Sequence, residues 1–500
     1  MRVGKTVSPT GRIFMAVALW AGFYLLALGL VAGLLYFAYA LLDRSVFARH
    51  PGDGVLLAVI LAGGSVVAAW IIFVSCLPRW ERFKAPGSLL DPKRHPALFE
   101  EIRQVEKASR QKPPDDVYLL LEVNAWVQDR RRFYLFPRRV LAIGLPLLQV
   151  MTVSQFRSVI AHEFGHFAGG DTKLAPWVYR THAAIERTVA ALEGRDSIWR
   201  FPFLAYAKLF LGISLEVSRR QEFLADELAA QIAGVRACGE ALKRTHKAGA
   251  AFLEFAGQDL FPLLDAGHRP PVAEGFAKYL ESPESSRSLS RRMSKELVAR
   301  PDHRGDTHPP LPLRLEALRG FAPGPEPRTD PPALGLLQDL DEMEKQMLVT
   351  ALGMTKLGSF PRIAWDEAAE KGYLPSWREA GGDCAKHLVG VTPASFPDLD
   401  LTKLGHKVVH FINDVEARGA AMKAIGVALL VALKDRGWSL TARPGERTAA
   451  TRGEVRVEPF NIFLDLAEGK LTRADWKAKC DAGEFGDMNL GFAVSPAREA

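Results

Sequence analysis

Apolar and polar positions divide this chain into stretches of different character before any single residue is considered. Ile13 to Leu42 is thirty residues without a charge, and Val55 to Leu77 is a second uncharged run of 23. As a helix the first would extend about 45 Å, more than the ~30 Å core of a bilayer, and the second is also of spanning length. They predict a transmembrane hairpin within residues 1–90, with spans at about 13–42 and 55–77. A cleaved secretory signal is the rival, since Ala38-Tyr39-Ala40 has the spacing of a cleavage site. The apolar core of such a signal is only about 7–15 residues long, which favours an anchor. Gly63-Gly64-Ser65 offers small residues where the two helices can approach closely.

The remainder alternates as a soluble protein does. Pro92 to Arg110 carries Leu98, Ile102 and Val105 at helical spacing, and Val117–Val123 and Val140–Ile143 read as strands. Ser154 is placed to cap a helix running through Phe167, whose apolar face is Phe156, Val159, Ile160, Phe164 and Phe167. Trp199–Val217 is strongly apolar but holds Arg200, Lys208, Glu216 and Pro202, so it predicts an interfacial or re-entrant helix or else a third span. Gly234–Phe255 reads as a helix, and the basic stretch Ser282–Arg304 as a mobile loop or a solvated face. Five prolines within 323–332 mark a linker.

Beyond it, Leu334–Leu352 and Gly419–Gly437 read as helices, with Trp438–Ala442, Glu454–Val457 and Phe460–Leu466 as strands and Ala474–Lys479 as a short helix. The expected class is mostly α with a small β component. The expected division is the hairpin to residue 90, a domain over 91–322, the linker, and a small α/β domain over 333–500 of no legible chemistry.

Charge adds orientation. The net +7 is not arranged as a nucleic-acid footprint, and no zinc-finger or aromatic-basic module accompanies it, so nucleic acid is not an expected partner. Arg2, Lys5 and Arg12 precede the first run, and Arg79, Arg82, Lys84, Lys93 and Arg94 follow the second, whereas Arg44 and Arg49 lie between. The positive-inside rule puts both flanks in the cytoplasm, with Trp80 as an interfacial anchor. The lipid bilayer is then one partner, and the location an inner, cell membrane with the larger part of the chain on its cytoplasmic side. Cys76, Cys238, Cys384 and Cys480 are scattered, as in a reducing compartment.

The chemistry concentrates in His162-Glu163-Phe164-Gly165-His166. Residues four apart on a helix are about 40° apart in rotation and one turn in rise, so His162 and His166 can grip one ion. Glu163 lies about 100° round from His162, suited to holding a water there. With 12 histidines in the chain, composition alone yields roughly 0.02 such strings. A catalytic zinc takes three protein ligands and keeps one open position, so a third ligand is required. Glu222 supplies a candidate, and Asp226, one turn on, can accept a hydrogen bond from a ligand histidine. His406 and His410 repeat the spacing without an adjacent glutamate or a third ligand, which argues against a second metal site.

Together, His162-Glu163-Phe164-Gly165-His166 and Glu222-Phe223-Leu224-Ala225-Asp226 resemble the membrane-anchored zinc peptidases of the HtpX and CAAX prenyl protease type, gluzincins whose third-ligand helix reads E-x-x-A-D. Asn124-Ala125-Trp126 resembles the family's edge strand, and Asp171 stands at its usual aspartate position. Thr307-His308-Pro309-Pro310-Leu311, with Arg314 and Glu316-Ala317-Leu318, resembles a further family segment. The resemblance implies zinc on His162, His166 and Glu222, Glu163 as general base, His308 and Arg314 at the oxyanion, and Asn124 on the substrate backbone. It also implies one zinc ion per chain and polypeptide substrates, membrane or misfolded proteins among them, as in membrane-protein quality control. The many spans of the prenyl proteases are missing, which disfavours a prenylated substrate. A membrane adaptor with a structural zinc is the alternative from another class, and the intact Glu163 argues against it.

Overall fold

The computed structural model describes residues 9–43, 54–77, 84–132, 136–168, 175–193, 198–298 and 309–493. The fold is mostly helical, with two small sheets. Its two apolar runs form helices Pro9–Leu42 and Gly54–Cys76, both long and apolar enough to cross a membrane. Leu25, Leu28, Tyr36, Leu56, Ile60 and Trp70 stand exposed on them, a surface suited to lipid. Ala68 and Ala69 of the second helix share a buried cluster with Phe23, Ala27 and Leu34 of the first. Gly63 and Gly64 are not the close-approach residues expected of them: a Cβ at either would meet nothing within 4 Å. Arg44, Arg49, Arg79, Trp80 and Arg82 lie outside the described residues.

The apolar stretch after Trp199 is not a separate interfacial piece. It is the first half of one uninterrupted helix, Arg200–Ala233, of 34 residues, whose second half bears Glu222 and Asp226. Pro202 does not break it because it sits in the first turn, where backbone N–H groups have no helical partner to lose. Phe203 and Phe210 pack with Phe23, Ala27 and Ile72 of the two apolar helices and with Ile185 and Leu192 of helix Ala175–Glu193. The Tyr206 hydroxyl donates to the Leu19 carbonyl. Four helices thus share one apolar cluster.

The larger sheet has the order β1-β2-β4-β3, with β1 Ser88–Leu89, β2 Asp116–Leu120, β3 Ala125–Arg132 and β4 Phe136–Gly144. β2 and β4 run parallel, Val117 opposite Leu141 and Leu119 opposite Ile143. β3 lies antiparallel at the edge and takes in Arg130–Arg132. One face of the sheet gives Leu119, Leu141 and Ile143 to the main core, where they meet Ile160 and Phe164 of helix Val153–Ala168.

That core does not stop at the proline-rich stretch. Ala333, Leu336, Met343, Met347, Leu357, Trp365 and Ala368 belong to it, and a second core begins at Ala369. Packing therefore divides the chain near residue 368, beyond the expected linker. The basic stretch forms helix Pro283–Val298. In the second core, β5 Ser439–Thr441, β6 Ala449–Arg452 and β7 Val455–Val457 form an antiparallel sheet against helix Asp414–Asp435. The expected strand Phe460–Leu466 is instead helix Ile462–Ala467. Ile462 and Phe463 turn inward together onto Phe396, which a two-residue alternation would forbid.

Candidate metal centre

Two helices build the centre. The motif helix, Val153–Ala168, crosses the ligand helix, Arg200–Ala233, at Gly165, where a Cβ would stand 2.7 Å from the Ala225 Cα. Only a glycine fits so near that backbone, and an alanine opposite keeps the gap closed. The small residues inside both motifs are thus what brings their ligands together.

His162, His166 and Glu222 each direct one ligand atom into a common space, all three within 4.8 Å of one another. The His162 Nε2 lies 3.5 Å from one Glu222 oxygen and the His166 Nε2 lies 3.6 Å from the other. Donors bound about 2.0–2.2 Å from a tetrahedral zinc stand about 3.3–3.6 Å apart. Two imidazole nitrogens, each at such a spacing from one oxygen of the Glu222 carboxylate, fit that ion. The two rings are nearly perpendicular, 85° apart, so their nitrogens converge from different directions.

Behind the ligands sits a buried charge network. Asp226, with no exposed surface, accepts from the His162 Nδ1 at 3.0 Å, which leaves Nε2 for the metal. Arg314 donates to Asp226 through Nε at 2.8 Å and Nη2 at 2.6 Å, and its Nη1 is 3.3 Å from Glu222. Burial opposes ionisation of Asp226, but the hydrogen bonds from Arg314 and His162 outweigh it and hold the carboxyl below its usual range. Burial likewise pushes the His162 imidazole down, yet hydrogen bonds to Asp226 and Glu222 carry it up to about 9. Arg314, the residue expected at the oxyanion, is 6% exposed; it lines the cavity that opens over the ligands, and its guanidinium is bonded to Asp226. The residues beside Arg314 carry no signal of this, since Leu313 is exposed and Glu316 and Arg319 share the segment.

A cavity of about 530 Å³ opens over these groups. Glu163, Asn124 and Arg314 line it, as do Leu147, Val159, Ala241, Leu242, Thr245 and Cys238. Asn124 stands immediately before edge strand β3, and its carbonyl accepts from the Gly144 amide at 2.8 Å. Helix Val235–Phe255, for which the sequence suggests no role, supplies one wall. Burial raises the Cys238 thiol to about 11, so that wall is neutral there. His308 and Asp171 lie outside the described residues.

Residues 92–322 match the family described as Peptidase family M48. This part of the chain belongs to that family. The M48 segment spans β2 to β4, both metal helices and Arg314. Protease HtpX of Stutzerimonas stutzeri (strain A1501) is 28% identical over 240 residues, which are 44% of this chain and 71% of that protein. Protease HtpX of Pseudomonas putida (strain GB-1) is 27% identical over 287 residues, 53% of this chain and 84% of that protein. No solved structure matches the chain. Residues 92–322 are therefore an M48 metalloprotease segment distantly related to HtpX, for which polypeptide substrates are implied.

Proposed function

We propose that the protein is a zinc-dependent endopeptidase held in the cell (inner) membrane by its two apolar helices, with the catalytic cavity on the cytoplasmic side. One observation carries the reading: His162, His166 and Glu222 converge on one point, and His162 lines a cavity together with Glu163. Bound zinc would supply Lewis acidity, worth several kcal/mol of transition-state charge stabilisation. Everything else falls to side chains of this chain. Glu163 takes a proton from the attacking water and returns it to the leaving amine. Asn124 orients a substrate backbone laid beside the open edge of β3. Asp226 fixes the His162 tautomer, and Arg314 holds Asp226 and Glu222 in place. His308, by its place in Thr307-His308-Pro309-Pro310, faces the developing oxyanion.

The substrates we infer are unfolded or membrane-inserted polypeptides, in keeping with a role in membrane-protein quality control. Support for the membrane setting comes from the four-helix apolar cluster that includes the ligand helix itself. The orientation is supported by the lysines and arginines flanking the two runs.

Digestion of casein and of a model membrane protein by the purified full chain tests the reading. Wild type should cleave, and Glu163→Gln should lose about 10²–10⁴-fold in kcat with zinc retained. Equal cleavage by both, or none from a zinc-loaded wild type, would reject it. Zinc fully retained after Glu222→Ala would reject the ligand set.

A further inference from the structure

The proline-rich stretch just beyond the M48 segment reads as a linker, yet it is bonded to the start of the motif helix and to Val235, the first residue of the helix that follows the ligand helix. It also lies against the end of the ligand helix itself. Near the start of the motif helix, the Val153 amide donates to the Pro331 carbonyl at 2.9 Å, and the Ala333 amide donates to the Met151 carbonyl at 2.8 Å. Asp330 then caps the helix from outside. It accepts from the Ser154 amide at 2.8 Å through one oxygen and from the Ser154 hydroxyl at 2.5 Å through the other. An anion there satisfies an orphan donor and faces the positive end of the helix dipole.

At the far end of the ligand helix the same stretch makes a second attachment. The Val235 amide donates to the Pro323 carbonyl at 2.9 Å. Gly324 has φ +72°, and a Cβ on it would stand 2.5 Å from the Ala230 carbonyl oxygen and 2.9 Å from the Gly234 Cα. Ala230 is one turn beyond Asp226. Only glycine both adopts that backbone and lies so close to the helix end.

We propose that residues 323–333 are a positioning strap for the metal centre, acting through Asp330 and Gly324. The two helices approach closely at Gly165 and Ala225, and the angle at which they cross sets where Glu222 stands relative to His162 and His166. The attachment at Ser154 is about 17 Å along the motif helix from that crossing, and the one at Ala230 about 8 Å along the ligand helix. Tying both ends to one short segment fixes the angle, and with it the separation of His162 and His166 from Glu222. Metal affinity is sensitive to displacements of a few tenths of an ångström in such donors. The inference rests on the assignment of these three residues as zinc ligands.

The test is zinc affinity of the full chain in detergent, measured by competition with a chromophoric chelator, which needs no peptidase activity. Asp330→Ala and Gly324→Ala should each weaken zinc binding about 5–10-fold, and Asp330→Asn, which still accepts from the Ser154 amide, should recover most of the loss. Glu344→Gln is the control. Glu344 accepts from the Val272 and Ala273 amides at 2.8 Å in the same core but caps a helix without ligands. It should lower the thermal midpoint and leave zinc affinity within about twofold. Wild-type affinity in both strap variants, or an equal loss in Glu344→Gln, overturns the strap. If Gly324→Ala does not fold, the two Asp330 variants decide the question. A wild type that binds no zinc overturns the ligand assignment and the strap with it, whereas a zinc-binding wild type without peptidase activity overturns only the proposed function.

Discussion

Asp226 and Asp259 are both carboxylates withdrawn from water, and their surroundings treat them in opposite ways. Asp226 is met by the Arg314 guanidinium through two hydrogen bonds and by the His162 ring, and its carboxyl is held below the usual range. Asp259 lies where the C-terminal unit closes on the peptidase core, and among the described residues its side chain accepts one long bond, 3.3 Å, from the Gly445 amide. Burial drives its carboxyl up to about 7. A desolvated anion persists only beside a cation. The chain supplies that cation where it needs a fixed negative charge to aim a ligand, and omits it where it needs only a packed junction.

The largest effect should come from taking the cation away. Arg314→Met leaves Asp226 and Glu222 charged and buried, and should destabilise the protein by about 3–5 kcal/mol. Adding Asp226→Asn should recover part of that loss, because the stranded charge is gone. Thermal melts of the single and double variants in one detergent measure it, and an unchanged midpoint in Arg314→Met would show the network to be energetically idle.

The opposite sign is expected at Asp259. Its folded-state carboxyl titrates near 7 against an ordinary value of about 4, so the folded state holds that proton more tightly. The associated stability is complete below about pH 4 and drains away as the pH rises to about 7. Asp259→Asn should therefore match wild type near pH 4.5 and exceed it near pH 8, by on the order of 2–4 kcal/mol. A wild-type midpoint that is flat between those values would contradict this.

The smallest effect belongs to Tyr373, whose hydroxyl donates to the Asp259 carbonyl at 2.8 Å. Tyr373→Phe should cost about 1 kcal/mol, with no change in the pH slope, since the bond is to the main chain. A slope that changed with it would mean that the hydroxyl reports on the carboxyl.

The candidate metal cluster is legible in sequence because its residues obey short-range rules. His162 with His166, and Glu222 with Asp226, are pairs one helical turn apart, and each pair occupies one face wherever its helix lies. The two apolar helices are equally local patterns, whereas the edge position of β3 follows only from the family resemblance of Asn124-Ala125-Trp126. What stayed hidden depends on chain neighbours far off in sequence. Nothing near Arg314 names Asp226, 88 residues earlier, as the acceptor for its guanidinium. The prolines of 323–332 announce that no regular element forms there, which is correct, but not that Pro331 and Asp330 bond to residues 153 and 154. The helix at Ile462–Ala467 escaped because six residues are too few to distinguish a strand from a helical turn by period.

The uninterrupted helix from Arg200 to Ala233 removes any slack between anchor and chemistry. Tyr206, fastened to Leu19 of the first apolar helix, and Glu222 are about 24 Å apart along a single rod. A hinge would absorb a displacement of the apolar helices, whereas a rod acts as a lever arm and passes it to Glu222 as a shift in aim.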